Sequence, residues 1–151
     1  MASNTLPEQP GTPAADRASK RILIVDDDEV TRKVTEWKLQ TAGYRVSTAA
    51  DGSQAIEVIC DLKPELVLLD INFPPDVPNG GMPAWDGFRL MMWLRSVTNL
   101  AAKRFIVITS GVPSDFEERI RASGVAGYFQ KPLRYNLLLE MIEKQLQVLA
   151  E

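Results

Sequence analysis

Three runs of four apolar residues, each followed by polar side chains, limit the folds that this chain can adopt. The runs at 22–25, 66–69 and 105–108 show no alternation of polar and apolar residues. Such runs are typical of strands buried on both faces of a parallel sheet. Ligands of open parallel sheets bind beyond the carboxyl ends of the strands, so Asp70, which directly follows one run, is expected at the edge of a site.

Helical segments separate these strands. Apolar spacing or capping residues predict helices at 30–42, 55–62, 88–97, 114–123 and 133–149, and two further strands are predicted at 44–49 and 125–129. In the first helix, Val30, Val34 and Trp37 recur at helical spacing, followed by Leu39 and Ala42. Parallel strands need crossover connections, which are right-handed. The alternation therefore predicts an α/β fold with a doubly wound, five-stranded parallel sheet.

Two stretches fall outside this alternation. Residues 1–20 are rich in Pro, Ala, Ser and Thr, which predicts a disordered leader before a single domain at 21–151. Between 71 and 86, repeated prolines and the Gly80–Gly81 pair exclude a regular helix or strand. A loop of this length within a domain is usually functional or mobile.

Composition excludes several classes of function. The net charge of −3 gives no reason to expect a nucleic-acid partner, and the absence of histidine excludes Ser-His-Asp catalysis and imidazole metal sites. The single cysteine, Cys60, is expected to be a buried apolar residue on a helix. Because no apolar run is long enough to span a membrane, we expect a cytoplasmic protein without a membrane partner.

Polar side chains follow four of the five predicted strands. Asp26 and Asp27 follow the first, Asp70 the third, Thr109 the fourth, and Lys131 the fifth. Each has an ordinary structural explanation when it is taken alone, such as helix capping or a surface turn. In a doubly wound sheet, however, all these strand ends point the same way and meet in one crevice.

The chemistry of such a crevice favours phosphoryl transfer. Carboxylates that share a pocket repel one another, and a divalent cation removes that cost. Oxygen ligands without His or Cys select Mg²⁺ first and Mn²⁺ second. The metal and Lys131 would neutralise a phosphoryl group, and the Thr109 hydroxyl would donate to one of its oxygens. The hypothesis is that Asp70 is a nucleophile that accepts a phosphoryl group.

The sequence also resembles a known family. The segments ILIVDDDEVTR, PELVLLD, VITS and YFQKP resemble, in order and in spacing, the receiver domain of bacterial two-component response regulators; they lie at 22–32, 64–70, 107–110 and 128–132. The similarity is to the stand-alone, chemotaxis-regulator type. It implies a flavodoxin-like three-layer sandwich with strand order 2-1-3-4-5.

The resemblance implies a metal site around the phospho-acceptor. It assigns Asp70 as the phospho-acceptor and as a metal ligand, Asp27 as a direct Mg²⁺ ligand, and Asp26 as a ligand through water. Asn72 would offer its backbone carbonyl to the metal. Residues 73–81 interrupt the family pattern and are interpreted as an insertion of open role next to the site.

The resemblance also implies a switch. Thr109 matches the switch hydroxyl, Lys131 the phosphate-facing lysine, and Tyr128 an aromatic residue that moves inward on activation. The Lys131–Pro132 peptide bond would be cis. The fourth helix, the fifth strand and the last helix would form the signalling face.

The implied function is a switch that takes a phosphoryl group from a phosphohistidine of a sensor histidine kinase or a phosphotransfer protein. Such a chain is not a turnover enzyme, since it assists only its own phosphorylation and dephosphorylation. Its output is contact with a downstream protein target. The sequence does not decide whether the phosphorylated form dimerises. It also does not decide between a stand-alone protein and a piece of a longer one.

Two alternatives remain from other classes. In a haloacid-dehalogenase-like phosphatase, Asp26 would be the nucleophile and Asp28 the general acid, but that class needs an acidic pair after Lys131 and would leave Asp70 without a role. A receiver-shaped interaction module that no longer uses phosphate is the second alternative. Flavodoxin-like FMN binding is set aside, because three aspartates after the first strand would repel the phosphate.

Overall fold

Five parallel strands form one sheet in the order β2-β1-β3-β4-β5. The structure, a computed structural model, describes residues 17–71, 87–98, 101, 104–110 and 114–150. The strands are β1 Arg21–Val25, β2 Arg45–Ala49, β3 Leu66–Asp70, β4 Phe105–Thr109 and β5 Gly127–Gln130. The predicted fold class and strand order are confirmed.

Five helices connect or follow the strands: α1 Glu29–Thr41, α2 Gly52–Leu62, α3 Gly87–Thr98, α4 Ser114–Ser123 and α5 Tyr135–Ala150. Aspartate caps fix the beginnings of α1 and α2. The Asp28 carboxylate accepts a hydrogen bond from the Val30 amide, and the Asp51 carboxylate accepts one from the Gln54 amide. These caps satisfy amide groups that have no partner within the helix. None of the described helices is long and apolar enough to cross a membrane.

The central strands β1, β3 and β4 are buried on both faces, which explains their unbroken apolar runs. One core lies between the sheet and α2, α3 and α4, and its strand residues include Leu23, Val25, Val67, Leu69 and Val107. The other core lies between the sheet and α1 and α5, and its strand residues include Ile22, Ile24, Leu66, Leu68 and Ile108. Burying one Leu or Ile side chain stabilises the fold by about 1.5–3 kcal/mol. The central strands therefore give rigid support to the polar residues at their carboxyl ends.

The buried face of α1 is not the one that its large apolar residues indicate. Val30 and Trp37 are 70% and 61% exposed, whereas Thr35 and Leu39 are buried. The Thr35 hydroxyl lies 3.0 Å from the hydroxyl of Tyr135 at the beginning of α5. Because this hydrogen bond satisfies the buried hydroxyl, a polar residue can occupy the interface between the two helices.

The expectation that Cys60 is buried is wrong, since the side chain is exposed. The inward face of α2 is occupied by Gly52, Ala55 and Ile59, which are spaced three and four residues apart. Cys60 follows Ile59 and is therefore rotated by about 100° around the helix axis, away from the core.

Residues 17–20, assigned to the leader from sequence, contact the body of the domain. The Arg17 guanidinium donates to the carbonyl of Ala42 at 3.1 Å and to a carboxylate oxygen of Glu143 at 2.6 Å. It also lies 5.6 Å from the centre of the Tyr44 ring. Arg17 therefore joins the connection between α1 and β2 to α5. Residues 1–16 lie outside the described part of the chain.

Candidate functional site

Three aspartates converge at the carboxyl end of the sheet. One carboxylate oxygen from each of Asp26, Asp27 and Asp70 lies within 4.8 Å of the others. The register explains the convergence, because Val25 of β1 is paired with Leu69 of β3 and the aspartates follow those residues. Asp26 and Asp70 are 1% and 2% exposed. The sheet therefore forces buried negative charges together, and such charges need a counter-charge.

Lys131 supplies part of that counter-charge. Its ammonium lies 3.1 Å from Oδ2 of Asp70 and 2.9 Å from Oδ2 of Asp26, and it donates to Oδ1 of Asp26 at 3.1 Å. Burial lowers the pKa of Lys131, but the hydrogen bond to Asp26 and the charge of Asp70 together outweigh it, so the pKa is raised overall. Lys131 is therefore held in its charged form next to both carboxylates.

The strand end positions Lys131 through its backbone. The amide of Lys131 donates to the carbonyl of Thr109 at 2.8 Å, which extends the β4–β5 pairing by one residue. The Lys131–Pro132 peptide bond is cis, as the resemblance implies.

The donor set of this pocket suits a hard divalent cation. The Lys131 ammonium contacts the carboxylates of Asp26 and Asp70, and Asp27 adds a third carboxylate, so these four side chains carry an excess of negative charge. Oδ1 of Asp26 accepts hydrogen bonds from the Asp28 amide and from Lys131, but Oδ2 is buried and accepts none of good geometry within the described ranges. This oxygen also lies 2.9 Å from the Lys131 ammonium, and carboxylate oxygens of this kind are suited to Mg²⁺, directly or through water. Asn72, the fourth predicted ligand, lies outside the described residues.

The side chain of Thr109 lies on the face of the sheet opposite to that of Asp70. It is fully buried at the end of β4, one residue beyond Ile108, which is paired with Asp70. Side chains alternate along a strand, so Thr109 belongs to the same face as Val107 and its neighbours on α2, α3 and α4.

Tyr128 contacts α4 rather than the acidic pocket. Its hydroxyl donates to Oε1 of Glu117 at 3.0 Å. This hydrogen bond, followed by burial, raises the pKa of Tyr128. Glu117 was not identified from sequence as a functional residue, and its interest follows only from this contact.

Sequence reasoning also missed Arg32. Its guanidinium donates to the backbone carbonyl of Asp26 at 2.9 Å and so fixes the rim of the pocket. A basic residue one turn after the helix cap Asp28 could have indicated this contact, because positions four apart lie on the same face of a helix.

The geometry of Asp28 disfavours the phosphatase alternative. Its carboxylate accepts a hydrogen bond from the Thr31 hydroxyl at 2.6 Å and caps α1. The contact with Thr31 is the main cause that lowers the pKa of Asp28. A general acid needs a raised pKa and a free proton, and this residue is set up as a helix cap instead.

Comparison with known proteins agrees with the fold. A family model described as the response regulator receiver domain matches residues 22–143. The chain is 27% identical over 127 residues to the polar-differentiation response regulator DivK of Brucella anthropi, covering 84% of this chain and 96% of that protein. It is 31% identical over 130 residues to the transcriptional regulatory protein GltR of Pseudomonas aeruginosa; the match covers 85% of this chain but only 49% of GltR.

Solved structures give the same result. The chemotaxis protein CheY4 of Vibrio cholerae has a TM-score of 0.68 at 26% identity, covering 82% of this chain and 95% of that structure. A CheY-like receiver domain protein from Methanospirillum hungatei has a TM-score of 0.70 at 27% identity, covering 85% and 94%. The chain belongs to the response regulator receiver domain family. It is thus a phospho-accepting signalling switch of the two-component type, and its acidic cluster fits that role.

Proposed function

We propose that Asp70 accepts a phosphoryl group from a phosphohistidine of a sensor kinase or phosphotransfer protein, with Mg²⁺ held by Asp26, Asp27 and Asp70. Mn²⁺ would fit the same oxygen ligands. The observation that carries the proposal is the buried carboxylate of Asp70, which shares one pocket with two further aspartates and lies 3.1 Å from the Lys131 ammonium.

The transfer balances without a further reactant. A carboxylate oxygen of Asp70 forms a bond to phosphorus, the P–N bond to the donor histidine breaks, and the bonding electron pair stays on the ring nitrogen. A proton already bound to the other ring nitrogen makes the leaving group a neutral imidazole. The metal, when bound, neutralises charge on the phosphoryl oxygens. Lys131 supplies a second positive charge next to the Asp70 carboxylate, and the buried strands keep Asp70 from moving away.

The geometry favours Asp70 over Asp26 as the nucleophile. Oδ1 of Asp26 already accepts two hydrogen bonds, and the Arg32 guanidinium fixes the backbone of Asp26. Asp28 is engaged as a helix cap, so Asp26 lacks the partner acid that a phosphatase mechanism requires. The phosphatase and the phosphate-independent module are therefore outcomes that the experiment has to exclude.

Intact-mass spectrometry after incubation with acetyl phosphate and Mg²⁺ tests the proposal. The native protein should gain the mass of one phosphoryl group, and Asp70→Asn should gain none. Asp61→Asn, at an exposed position on α2, is the matched control and should behave as the native protein. An adduct that persists in Asp70→Asn but disappears in Asp26→Asn would favour the phosphatase, and no adduct in any variant would favour the phosphate-independent module.

We further propose that the signal leaves the domain through protein contacts at α4, β5 and α5. Lys131 directly follows β5, so a movement of its ammonium would shift β5 and the helices beside it. Substitutions on this face should be tested for their effect on binding to the kinase and to the downstream target. They should also be tested for their effect on a phosphorylation-dependent dimer.

A further inference from the structure

Helix α4 contacts the rest of the domain through several side chains between 117 and 123. Of its side chains between 117 and 123, which are those that the structure describes, Ile120 is the one in the buried core. Glu117 reaches β5, and the guanidinium of Arg119 lies 4.0 Å from the centre of the Phe88 ring on α3. The contacts of Glu117 and Arg119 are polar, so the position of α4 depends on them as well as on the packing of Ile120.

Glu117 receives two donors, of which Tyr128 is the more important. The Tyr128 hydroxyl donates to Oε1 at 3.0 Å in a partly buried setting, whereas Arg121 reaches the same oxygen at 3.3 Å from a side chain that is 74% exposed. Exposed ion pairs one helical turn apart contribute little. The hydrogen bond from Tyr128 therefore joins α4 to β5, in addition to the packing of Ile120 in the core.

Tyr128 lies on the strand whose end forms the site. It is paired with Val107, and it packs against the same core as Val107. Thr109, two residues after Val107, projects from the same face of the sheet. Three residues after Tyr128, the amide of Lys131 donates to the carbonyl of Thr109 while its ammonium contacts Asp70. Tyr128 thus lies between α4 and the two strand ends that surround the phospho-acceptor.

We propose that Glu117 is a positioning residue that holds the Tyr128 hydroxyl on α4 and thereby opposes the rearrangement of the strand ends when Asp70 is phosphorylated. This inference rests on the proposed function of Asp70. If Asp70 reacts only when the strand ends are rearranged, the rate of phosphorylation is proportional to the population of that state, and losing the contact between Tyr128 and Glu117 raises that population.

The contact is tested first without phosphate. Ultraviolet titration of the tyrosines, with Tyr128→Phe to identify the relevant step, should show that Glu117→Ala lowers the pKa of Tyr128 towards its ordinary value. Glu118→Ala removes the same charge from the neighbouring exposed position and should leave that step unchanged. An unchanged step in Glu117→Ala would overturn the inference.

The consequence is tested by the initial rate of phosphorylation with acetyl phosphate and Mg²⁺, measured by intact mass. Glu117→Ala and Tyr128→Phe should each raise the rate about threefold, and the double variant should show no further gain, because both remove one hydrogen bond. Glu118→Ala should match the native protein.

The outcomes separate the two proposals. If the native protein is phosphorylated and Glu117→Ala and Tyr128→Phe react at its rate, the inference fails and the proposed function stands. The inference would also be overturned if the rate increases of the two single variants multiplied in the double variant. That result would mean that the two residues act independently. If the native protein is not phosphorylated at all, the proposed function fails together with the inference.

Discussion

The ammonium of Lys131 lies 3.1 Å from Oδ2 of Asp70, although 61 positions separate the two residues in the chain. Two neighbouring strand pairs produce this approach, β3 with β4 and β4 with β5. The same ammonium contacts Asp26 at the end of β1. One cation therefore joins three strand ends, and several consequences of this arrangement can be measured.

Replacing Lys131 with methionine should slow phosphorylation and destabilise the protein. The variant leaves Asp26 and Asp70 buried without the positive charge of Lys131, which should lower the free energy of unfolding by about 2–4 kcal/mol. Urea denaturation without metal measures this loss. Lys144→Met, at an exposed position of α5, is the control and should change the unfolding free energy by less than about 0.5 kcal/mol. Equal stability of the two variants would mean that the pocket does not need the ammonium.

Magnesium should stabilise the native protein against heat. A ligand whose free concentration is ten times its dissociation constant raises the free energy of unfolding by about 1.4 kcal/mol. Asp27→Asn removes an exposed member of the cluster and should abolish most of the rise in Tm, whereas Asp61→Asn on α2 should keep it. A calorimetric scan with Mg²⁺ and with EDTA makes the comparison, and an equal rise in all three proteins would place the metal elsewhere.

Truncation of Leu68 should weaken the support beneath Asp70. The side chain is fully buried in β3, and Leu→Ala at such positions costs about 2–5 kcal/mol. Leu137→Ala on α5, where the side chain is 41% exposed, should cost less than about 1 kcal/mol. Chemical denaturation of the two variants checks the expectation, which fails if Leu137→Ala is the more damaging change.

Arg17→Ala should destabilise the domain by about 1–2 kcal/mol, because it removes two hydrogen bonds to charged or carbonyl oxygen at a partly buried position. Arg17→Lys keeps the charge but not the two-point contact, and it should recover only part of the loss. The midpoint of urea unfolding distinguishes the three proteins. No change in either variant would show that residues 17–20 belong to the leader, as the sequence suggested.

The architecture and the convergence of the acidic residues could be predicted from sequence, because both follow from short-range rules. The unbroken apolar run before Asp70 indicates a strand buried on both faces, and parallel connection then places Asp26 and Asp70 at the same edge. The helix caps Asp28 and Asp51 are likewise local signals.

The remaining features depend on which helices become neighbours. Spacing identified α1 but not the burial of Thr35, whose hydroxyl meets that of Tyr135 on α5. The contact between Glu117 and Tyr128 and the contact between Arg17 and Glu143 join distant segments. No local pattern in the sequence marks such pairs, so they become visible only in the folded chain.

Chemical mapping of the phosphorylated residue tests the central claim most directly. Reduction with borohydride converts an aspartyl phosphate to homoserine, and peptide mass spectrometry then locates the converted residue. After incubation with acetyl phosphate and Mg²⁺, the conversion should occur at Asp70 and depend on the metal. Conversion at Asp26, or the absence of conversion at Asp70 under these conditions, would contradict the account.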